Sequence, residues 1–249
     1  MRSRAVLVTG GSRGIGAATA RRLARDGHRV CLTYRTEAAA ADAVVADIRA
    51  AGGVARAVCA DLADPAAIEA LFATVDAEFG ILTGLVNNAG ALEKQCRVDE
   101  LDADRLHRTM AVNVIAPILC AKHAVLRMST AHGGAGGAIV NVSSVAARLG
   151  APGEYVDYAA GKGALDTFTR GLALEVAAEG IRVNAVRPGY IHTGIHADGG
   201  EPGRVDRLAP TLPMRRGGDP EEVAAAIAWL LSDEASYVTG SFTDLAGGW

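Results

Sequence analysis

Aromatic side chains are scarce in this sequence and make up only 4% of its 249 residues. The hydrophobic fraction is nevertheless 50%, so Ala, Val, Leu and Ile supply most of the apolar mass. Such small side chains favour helices packed closely on a sheet over a surface on which nucleic-acid bases stack. The formal net charge is −3, and no long run of one sign occurs. We therefore predict neither a nucleic-acid partner nor binding to an anionic membrane.

Cysteine is also rare, and long apolar runs are missing. Cys31, Cys59, Cys96 and Cys120 are widely spaced and form no CxxC pair, which predicts neither a disulfide framework nor a metal site. We interpret them as small apolar residues in a reducing compartment. No uninterrupted apolar run reaches the roughly 18 residues needed to cross a bilayer. An apolar strand starts at residue 5, so no signal peptide and a cytoplasmic location are expected.

Short apolar runs alternate with longer amphipathic stretches along the chain, which predicts alternating strands and helices. The predicted strands cover residues 5–9, 29–34, 54–59, 82–87, 139–144, 181–186 and 241–245. Because these runs are almost continuously apolar, we predict an α/β fold with a doubly wound, seven-stranded parallel sheet and helices on both faces. No linker or repeat interrupts the pattern, so residues 1–249 are predicted to form a single domain. Ligands bind such sheets at the carboxyl ends of the strands, where the winding reverses.

One segment, residues 192–213, departs from this pattern because it is rich in Gly, Pro and charge. It is long for a connection without structure of its own, which favours a substrate lid over the alternative of a mobile surface loop. His192 and His196 lie in this segment four residues apart, a spacing that can indicate a metal. No third ligand is evident, so no metal site is predicted, and we interpret both as solvated loop histidines that could touch the substrate.

A glycine-rich turn follows the first predicted strand and reads Thr9-Gly10-Gly11-Ser12-Arg13-Gly14-Ile15-Gly16. Glycines at this point permit a tight turn and let backbone N–H groups approach a pyrophosphate closely. The N-terminus of the following helix adds partial positive charge. Three glycines alone are equally consistent with a turn that binds nothing. Their place after the first strand of an alternating α/β chain favours dinucleotide binding.

The spacing of Gly10, Gly14 and Gly16 resembles the Thr-Gly-x-x-x-Gly-x-Gly fingerprint of the short-chain dehydrogenase/reductase family. The resemblance covers essentially the whole chain and implies a Rossmann fold that carries cofactor and catalytic residues in one domain. Residues 87–90, Asn-Asn-Ala-Gly, match a family motif that supports the sheet and lines the adenosine side. The cofactor-binding residues that the resemblance implies are Gly10, Ser12, Arg13, Gly14, Ile15, Gly16, Tyr34, Arg35, Asp61, Leu62, Asn88, Ala89, Gly90, Tyr158, Lys162, Pro188, Gly189, Ile191 and Thr193.

The end of the second strand indicates which nicotinamide cofactor is used. An acid at this point would accept a hydrogen bond from the ribose 2′-OH and repel a 2′-phosphate. The chain instead has Thr33-Tyr34-Arg35, with no acid before Glu37. Arg35 and Arg13 could clamp a 2′-phosphate through charge-assisted hydrogen bonds, although each could also be a solvated surface residue. The missing acid and the arginine in the loop together favour NADP(H).

Tyr158 and Lys162 are four residues apart, which places them on one face of a predicted helix. A nearby ammonium and a nicotinamide cation favour phenolate, so we expect a lowered tyrosine pKa. Tyr158 would then exchange a proton with the substrate oxygen, and Ser144 would hold that oxygen by a hydrogen bond. Asn113 would anchor a water that connects Lys162 to solvent. Each of these residues has a structural explanation by itself, but together they stand in the order of the family.

Two details differ from the commonest family pattern. Ser144 precedes Tyr158 by one residue more than usual, so Ser143 remains an alternative for the catalytic serine. Gly161 replaces a frequent Ser before the lysine, which lowers helix propensity but removes no catalytic atom. Tyr155 lacks a lysine four residues later, and we interpret it as a pocket or packing residue.

The most similar family members in appearance are 3-oxoacyl-carrier-protein reductases and glucose-dehydrogenase-like enzymes. The former hold an acidic carrier through basic residues, but Leu174 stands here where such reductases often have Arg, and residues 131–138 carry only His132. We therefore predict a small free carbonyl or polyol substrate, with the carrier-protein reductase as the alternative. A non-catalytic NADP-binding sensor or scaffold is a second alternative, because a fold does not prove an activity.

The resemblance also implies a homotetramer, with the C-terminal strand in one interface. The chain ends in Trp249, and a terminal Trp is unfavourable in water. We expect it to pack against the protein or a partner subunit.

Overall fold

Seven apolar strands pair in the order β3-β2-β1-β4-β5-β6-β7, and all pairs are parallel. The computed structural model describes residues 5–249; the predicted domain 1–249 also includes residues 1–4, which lie outside the described residues. The strands are β1 (Ala5–Val8), β2 (Arg29–Tyr34), β3 (Val54–Cys59), β4 (Leu82–Asn87), β5 (Gly137–Val142), β6 (Ile181–Pro188) and β7 (Phe242–Leu245). The predicted doubly wound, seven-stranded sheet is confirmed.

Helices cover both faces of the sheet. They are α1 (Gly14–Arg25), α2 (Ala38–Ala50), α3 (Pro65–Phe79), α4 (Ala103–Met110), α5 (Ala116–Met128), α6 (Ala146–Leu149), α7 (Val156–Val176), α8 (Ile195–Asp198), α9 (Arg204–Leu208) and α10 (Pro220–Leu231). A π-helical turn, Ala111–Ile115, joins α4 to α5 without a break. The winding reverses between β1 and β4, so their carboxyl ends open the crevice in which ligands of such sheets bind.

Two apolar clusters fill the space between the sheet and its helices. One cluster contains side chains of α1, α2 and α10, including Leu23, Ile48 and Ile227. The other contains side chains of α3, α5 and α7, including Phe72 and Ala173. Small side chains let the helices approach the sheet closely, as the low aromatic content predicts.

Local sequence signals fix the starts of two long helices. Asp64 caps α3, where its carboxylate accepts a hydrogen bond from Ala66 N at 2.9 Å, and Pro65 occupies the first turn. Asp219 begins α10 in the same way, and Glu222 completes a capping box by accepting from Asp219 N at 2.9 Å. Both helices therefore begin at the residue that their capping sequences indicate.

The helical stretch Ala103–Met128 is 26 residues long with mean hydropathy 1.5, which by length and composition alone is enough to cross a membrane. It consists of α4, the π-helical turn and α5. Its residues Cys120 and Ala124 are fully buried in the core beneath the sheet. Length and hydropathy do not distinguish a membrane helix from a helix packed in this way.

The predicted lid, 192–213, has structure of its own. It contains α8, α9 and a 3₁₀ turn at Ala209–Thr211.

Of the four cysteines, Cys31 and Cys120 are buried apolar residues as expected, and burial raises the pKa of each thiol to about 12. Cys59 is exposed, which corrects its interpretation as core filler.

Candidate active site

A cavity of about 1230 Å³ lies at the carboxyl ends of the strands. Its walls come from the loops that follow β1 to β6 and from the segment 192–213. This volume exceeds the ~300–1,000 Å³ typical of a site for one small molecule. The cavity therefore has room for a large ligand and a second, smaller one.

The glycine loop has the backbone geometry of a phosphate cradle. Gly10 and Gly14 have φ of +63° and +52°, a region that disfavours any other residue. A Cβ on Gly14 would lie 3.0 Å from Thr193 Cγ2, and one on Gly16 would lie 2.2 Å from the carbonyl oxygen of Gly10. The loop ends at the N-terminus of α1, whose free N–H groups attract an anion. These features fit the pyrophosphate of a dinucleotide.

The Asn-Asn-Ala-Gly motif holds this loop against β4. Asn88 Nδ2 donates to the carbonyl oxygens of Thr9 and Gly10, each at 2.9 Å. The Thr9 hydroxyl oxygen accepts from the backbone N–H groups of Asn88 and Ala89, at 2.9 and 3.0 Å. The predicted supporting role of the motif is thus visible as four hydrogen bonds across the crevice.

The end of the cavity that is predicted to hold the adenosine is lined by Tyr34, Arg35, Asp61 and Leu62. Among the described residues, the exposed side chain of Arg35 has no ion-pair partner. Arg13 differs, because its guanidinium forms a two-point ion pair with Asp198 of α8, with Nη1 3.4 Å from Oδ1. The two predicted clamp arginines therefore have different surroundings: one is available, and the other is engaged with the lid.

Tyr158 and Lys162 lie on the cavity side of α7, as their spacing predicts. Ser144 lines the cavity beside Tyr158, and hydrogen bonding from its side chain favours a lower pKa of the tyrosine. Lys162 Nζ lies 5.5 Å from the centre of the tyrosine ring and donates to the carbonyl oxygen of Val142 at 2.8 Å. The Ser143 hydroxyl points elsewhere and donates to the carbonyl oxygen of Lys162 at 3.3 Å. Of the two candidate serines, Ser144 is the one beside the tyrosine.

Burial shifts the pKa values of both titratable groups in this cluster, Tyr158 and Lys162. It raises the pKa of Tyr158 to about 12, against a smaller lowering by the hydrogen bond from Ser144. It lowers the pKa of Lys162 to about 8, against a smaller raising by the Asp166 carboxylate. Among the protein's own groups, desolvation of the phenolate is the largest effect and opposes the expected lowering of the tyrosine pKa. At neutral pH the cluster holds a phenol beside an ammonium group.

Asn113 is fully buried in the π-helical turn and does not line the cavity. Its Nδ2 donates to the carbonyl oxygens of Ala91 and Thr109, each at 2.9 Å, and its Oδ1 accepts from Ala91 N at 3.2 Å. A Cβ on Gly90 would lie 3.1 Å from Asn113 Oδ1 and 3.5 Å from Lys162 Nζ, so the two side chains are neighbours. The amide group fixes the loop after β4 beside the lysine.

The remaining end of the cavity has an aromatic wall. The Arg204 guanidinium lies between the rings of Tyr155 and Tyr190, with its carbon 5.1 and 5.4 Å from their centres. Trp249 meets Tyr190 edge to face at 5.7 Å, so the terminal Trp packs against its own chain. The Tyr155 hydroxyl donates to Gly199 O at 3.1 Å, which joins the start of α7 to the segment 192–213.

His196 is buried, and its interpretation as a solvated loop histidine is wrong. Its Nε2 lies 3.0 Å from Ile191 O, while Nδ1 has no hydrogen-bond partner within residues 5–249. Burial lowers the pKa of the ring, so His196 is neutral at neutral pH. The exposed His192 is the solvated one of the pair. The described residues contain no group of three or more His, Cys, Asp or Glu arranged to hold a metal.

Known proteins share this arrangement over the full length of the chain. Residues 10–249 match the family described as enoyl-(acyl carrier protein) reductase. An uncharacterized oxidoreductase, YgfF of Escherichia coli, is 60% identical over 97% of this chain and 98% of its own length. The cis-4-hydroxycyclohexanecarboxylate dehydrogenase of Sinomonas cyclohexanicum is 43% identical over 99% of this chain and 96% of its own. A Burkholderia cenocepacia short-chain dehydrogenase, solved with NADP, superposes with a TM-score of 0.89 at 38% identity over 99% and 97% of the two chains.

The chain belongs to the short-chain dehydrogenase/reductase family. The resemblance seen in its motifs is thereby confirmed, and the protein is an oxidoreductase with the Rossmann fold of this family.

Sequence reasoning missed one structural pair beside the site of this family member. Arg105 of α4 and Asp157, the residue before Tyr158, form a buried ion pair. The Thr109 hydroxyl donates to Asp157 Oδ2 at 3.3 Å. The sequence signalled this pair only by a charged residue at each of two buried positions. Because the two residues are far apart in the chain, the sequence did not show that they meet.

Proposed function

We propose that this chain is an NADP(H)-dependent oxidoreductase that interconverts a secondary alcohol and a ketone through Ser144, Tyr158, Lys162 and Asn113. The observation that carries the proposal is that Ser144, Tyr158 and Lys162 all line one wall of the cavity, with Lys162 one helical turn beyond Tyr158 on α7. Two hydroxyls at one point of the cavity suit a single substrate oxygen.

In the reducing direction, the nicotinamide, when bound, supplies the hydride that the carbonyl carbon receives. Tyr158 donates its phenolic proton to the carbonyl oxygen, and Ser144 holds that oxygen by a hydrogen bond. The Lys162 ammonium stabilises the phenolate that remains. In the oxidising direction the phenolate takes the alcohol proton back. Asn113 is proposed to hold the loop after β4 in place beside Lys162, where the lysine exchanges its proton with water.

The choice of NADP(H) over NAD(H) rests on charge at the end of β2. Arg35 lines the cavity without a carboxylate partner in the described structure, and no acid occupies the end of the strand to accept from a 2′-OH. A free guanidinium can hold a 2′-phosphate through two parallel hydrogen bonds. The NADP-bound relative supports the same choice.

A small free carbonyl or polyol compound is the proposed substrate. The relative that is a hydroxycyclohexanecarboxylate dehydrogenase supports an alcohol on a compact carbon skeleton. Leu174 is 76% exposed at a position where the carrier-protein reductases often have Arg, which disfavours an acidic carrier. The complete set of catalytic side chains disfavours a sensor without activity.

The assembly and location are proposed from the family resemblance: a homotetramer in the cytoplasm. Exposed apolar residues on the outer surfaces of α4, α5 and α10 support subunit contacts: Leu106, Ile118 and Trp229. Light scattering on the purified protein tests the tetramer.

The experiment follows absorbance of the reduced nicotinamide over a panel of ketones, diketones, oxoacyl thioesters and sugars, with NADPH and with NADH. Wild type is compared with Tyr158→Phe, which keeps the ring and removes the proton. Oxidation of NADPH that is lost in Tyr158→Phe supports the proposal. Tight NADPH binding with no turnover over the whole panel would instead favour the sensor.

A further inference from the structure

Two arginines at the substrate end of the cavity are already paired with carboxylates. Arg204 is 5% exposed and forms ion pairs with Glu154 and, at 3.4 Å, with Glu201. Arg108, at the opposite rim, pairs with Glu93 through Nε and Oε1 at 2.8 Å. Arg207 also binds Glu201, with Nη2 2.9 Å from Oε2, so three guanidiniums meet three carboxylates, and the neutral His196 adds no charge.

Arg204 is held in one position, so its guanidinium cannot turn towards a substrate. Its guanidinium is stacked between the rings of Tyr155 and Tyr190, at 5.1 and 5.4 Å from their centres. A buried guanidinium held by two rings and two carboxylates has little freedom to reach a new anion.

Glu154 has the opposite character, because it is a charged group that the cavity leaves accessible. It lines the cavity, and its side chain keeps 33% of its exposure while it binds Arg204. It directly precedes Tyr155, which caps the catalytic helix α7. A substrate that approaches Tyr158 past this wall meets the Glu154 carboxylate, while the buried Lys162 ammonium is occupied by the carbonyl oxygen of Val142.

We propose that the substrate carries no negative charge and that Glu154 is the residue that excludes anionic analogues. This inference rests on the proposed function and adds the charge class of the substrate. A substrate carboxylate would lose its hydration beside Glu154 and gain no ion pair in return, which is how a site discriminates by repulsion. It would set this chain apart from the relative whose printed substrate is a ring carboxylate.

The test uses matched pairs that differ in charge alone. In kinetics, cyclohexanone carrying a 4-carboxamide is compared with the same ketone carrying a 4-carboxylate. In binding, the unreactive cyclohexanecarboxamide and cyclohexanecarboxylate are titrated against the NADPH complex, followed by nicotinamide fluorescence. We expect the neutral member to be favoured about tenfold or more in both assays. Equal or better performance of the carboxylate overturns the inference.

Glu154→Gln keeps the size of the side chain and leaves Glu201 to accompany Arg204. It should reduce the preference for the neutral member about tenfold. Asp206→Asn is the control, because Asp206 is an exposed acid of α9 that does not line the cavity, and its loss removes the same charge. A preference that changes equally in both variants overturns the role of Glu154. The binding assay needs no turnover, so a failure of the proposed reaction is distinguishable from a failure of this inference.

Discussion

The guanidinium of Arg105 binds the carboxylate of Asp157 at two points, with Nε 2.8 Å from Oδ2 and Nη2 3.2 Å from Oδ1. Both side chains are buried, at 9% and 2% exposure. Nη1 of the same arginine donates to Lys94 O at 2.6 Å. One ion pair thus joins α4, the loop after β4 and the first turn of α7, where Tyr158 lies. The position of the proposed proton donor depends on this pair.

Asp157→Ala should therefore destabilise the protein strongly. It leaves the Arg105 charge buried without its counter-ion, and breaking such a pair costs about 3–5 kcal/mol of the free energy of unfolding. Urea denaturation measures the loss. The control is Asp99→Ala, which breaks the exposed Arg97–Asp99 pair and should change stability little. Similar losses in the two variants would contradict the importance of the buried pair.

The two neighbouring serines should differ in their effect on the reaction. Ser144 lines the cavity beside Tyr158, so Ser144→Ala should lower kcat about 10²–10³-fold, the usual loss for one donor to a reacting oxygen. Ser143 donates to the carbonyl oxygen of Lys162 inside the protein, so Ser143→Ala should affect stability more than kcat. Steady-state kinetics and thermal denaturation of both variants separate these effects. A larger loss of kcat in Ser143→Ala would reverse the assignment.

The turn geometry of the glycine loop could be predicted because its requirements are local. Gly10 and Gly14 have positive φ, which favours glycine regardless of the rest of the fold. A short sequence motif is therefore enough to predict this turn. The alternation of apolar runs likewise predicted the strands of the sheet, because the central strands β1 and β4 are buried on both faces and are mainly apolar.

The ion pairs that pack against the start of α7 could not be predicted in this way. Arg204 and Glu154 are 50 residues apart, and Arg105 and Asp157 are 52 apart. Their contact depends on how the lid and α4 pack on α7, which no local pattern encodes. Burial of His196 follows from the same packing, so its surroundings were predicted wrongly.

The glycine at 161 offers a test of packing on the catalytic helix. A Cβ there would make ordinary contacts, 3.5 Å from Val114 Cγ2 and 3.6 Å from Asn113 Cβ. Since Gly in a helix interior costs about 0.5–1 kcal/mol relative to Ala, Gly161→Ala should stabilise the protein by that amount. Denaturant unfolding measures the gain. Gly16→Ala is the contrasting variant, because its Cβ would lie 2.2 Å from Gly10 O, and it should weaken NADPH binding and stability. A destabilised Gly161→Ala would show that the helix needs a closer approach.

Ketone reduction should depend on pH through Lys162. Burial raises the pKa of Tyr158 to about 12, so the phenol keeps its proton throughout the neutral range. Burial lowers the pKa of Lys162 to about 8, so the ammonium is present below that pH and is lost above it. Without the ammonium the phenolate formed during reduction is less stable, and kcat for reduction should fall as the pH rises through about 8. Lys162→Arg retains a cation at all these pH values, so its remaining activity should lack this fall. A fall at the same pH in Lys162→Arg would assign it to another group.

Cofactor preference should respond oppositely to two charges at the cavity. Arg35 lines the cavity without an ion-pair partner in residues 5–249 and is proposed to bind the 2′-phosphate, so Arg35→Ala should weaken NADPH binding about tenfold or more. Asp198 occupies the fork of Arg13, which a phosphate would also need. Asp198→Asn frees this guanidinium and should tighten NADPH binding about twofold to fivefold, since an exposed pair contributes no more than about 1 kcal/mol.

Nicotinamide fluorescence measures both affinities, and NADH is the matched control because it lacks the 2′-phosphate. Binding of NADH should change little in either variant. If Arg35→Ala weakened NADH as much as NADPH, the arginine would act on the rest of the cofactor, and the charge at the end of β2 would not set the preference. If Asp198→Asn weakened NADPH, the Arg13–Asp198 pair would instead hold the lid over the bound cofactor, and the two ligands would not compete for the guanidinium.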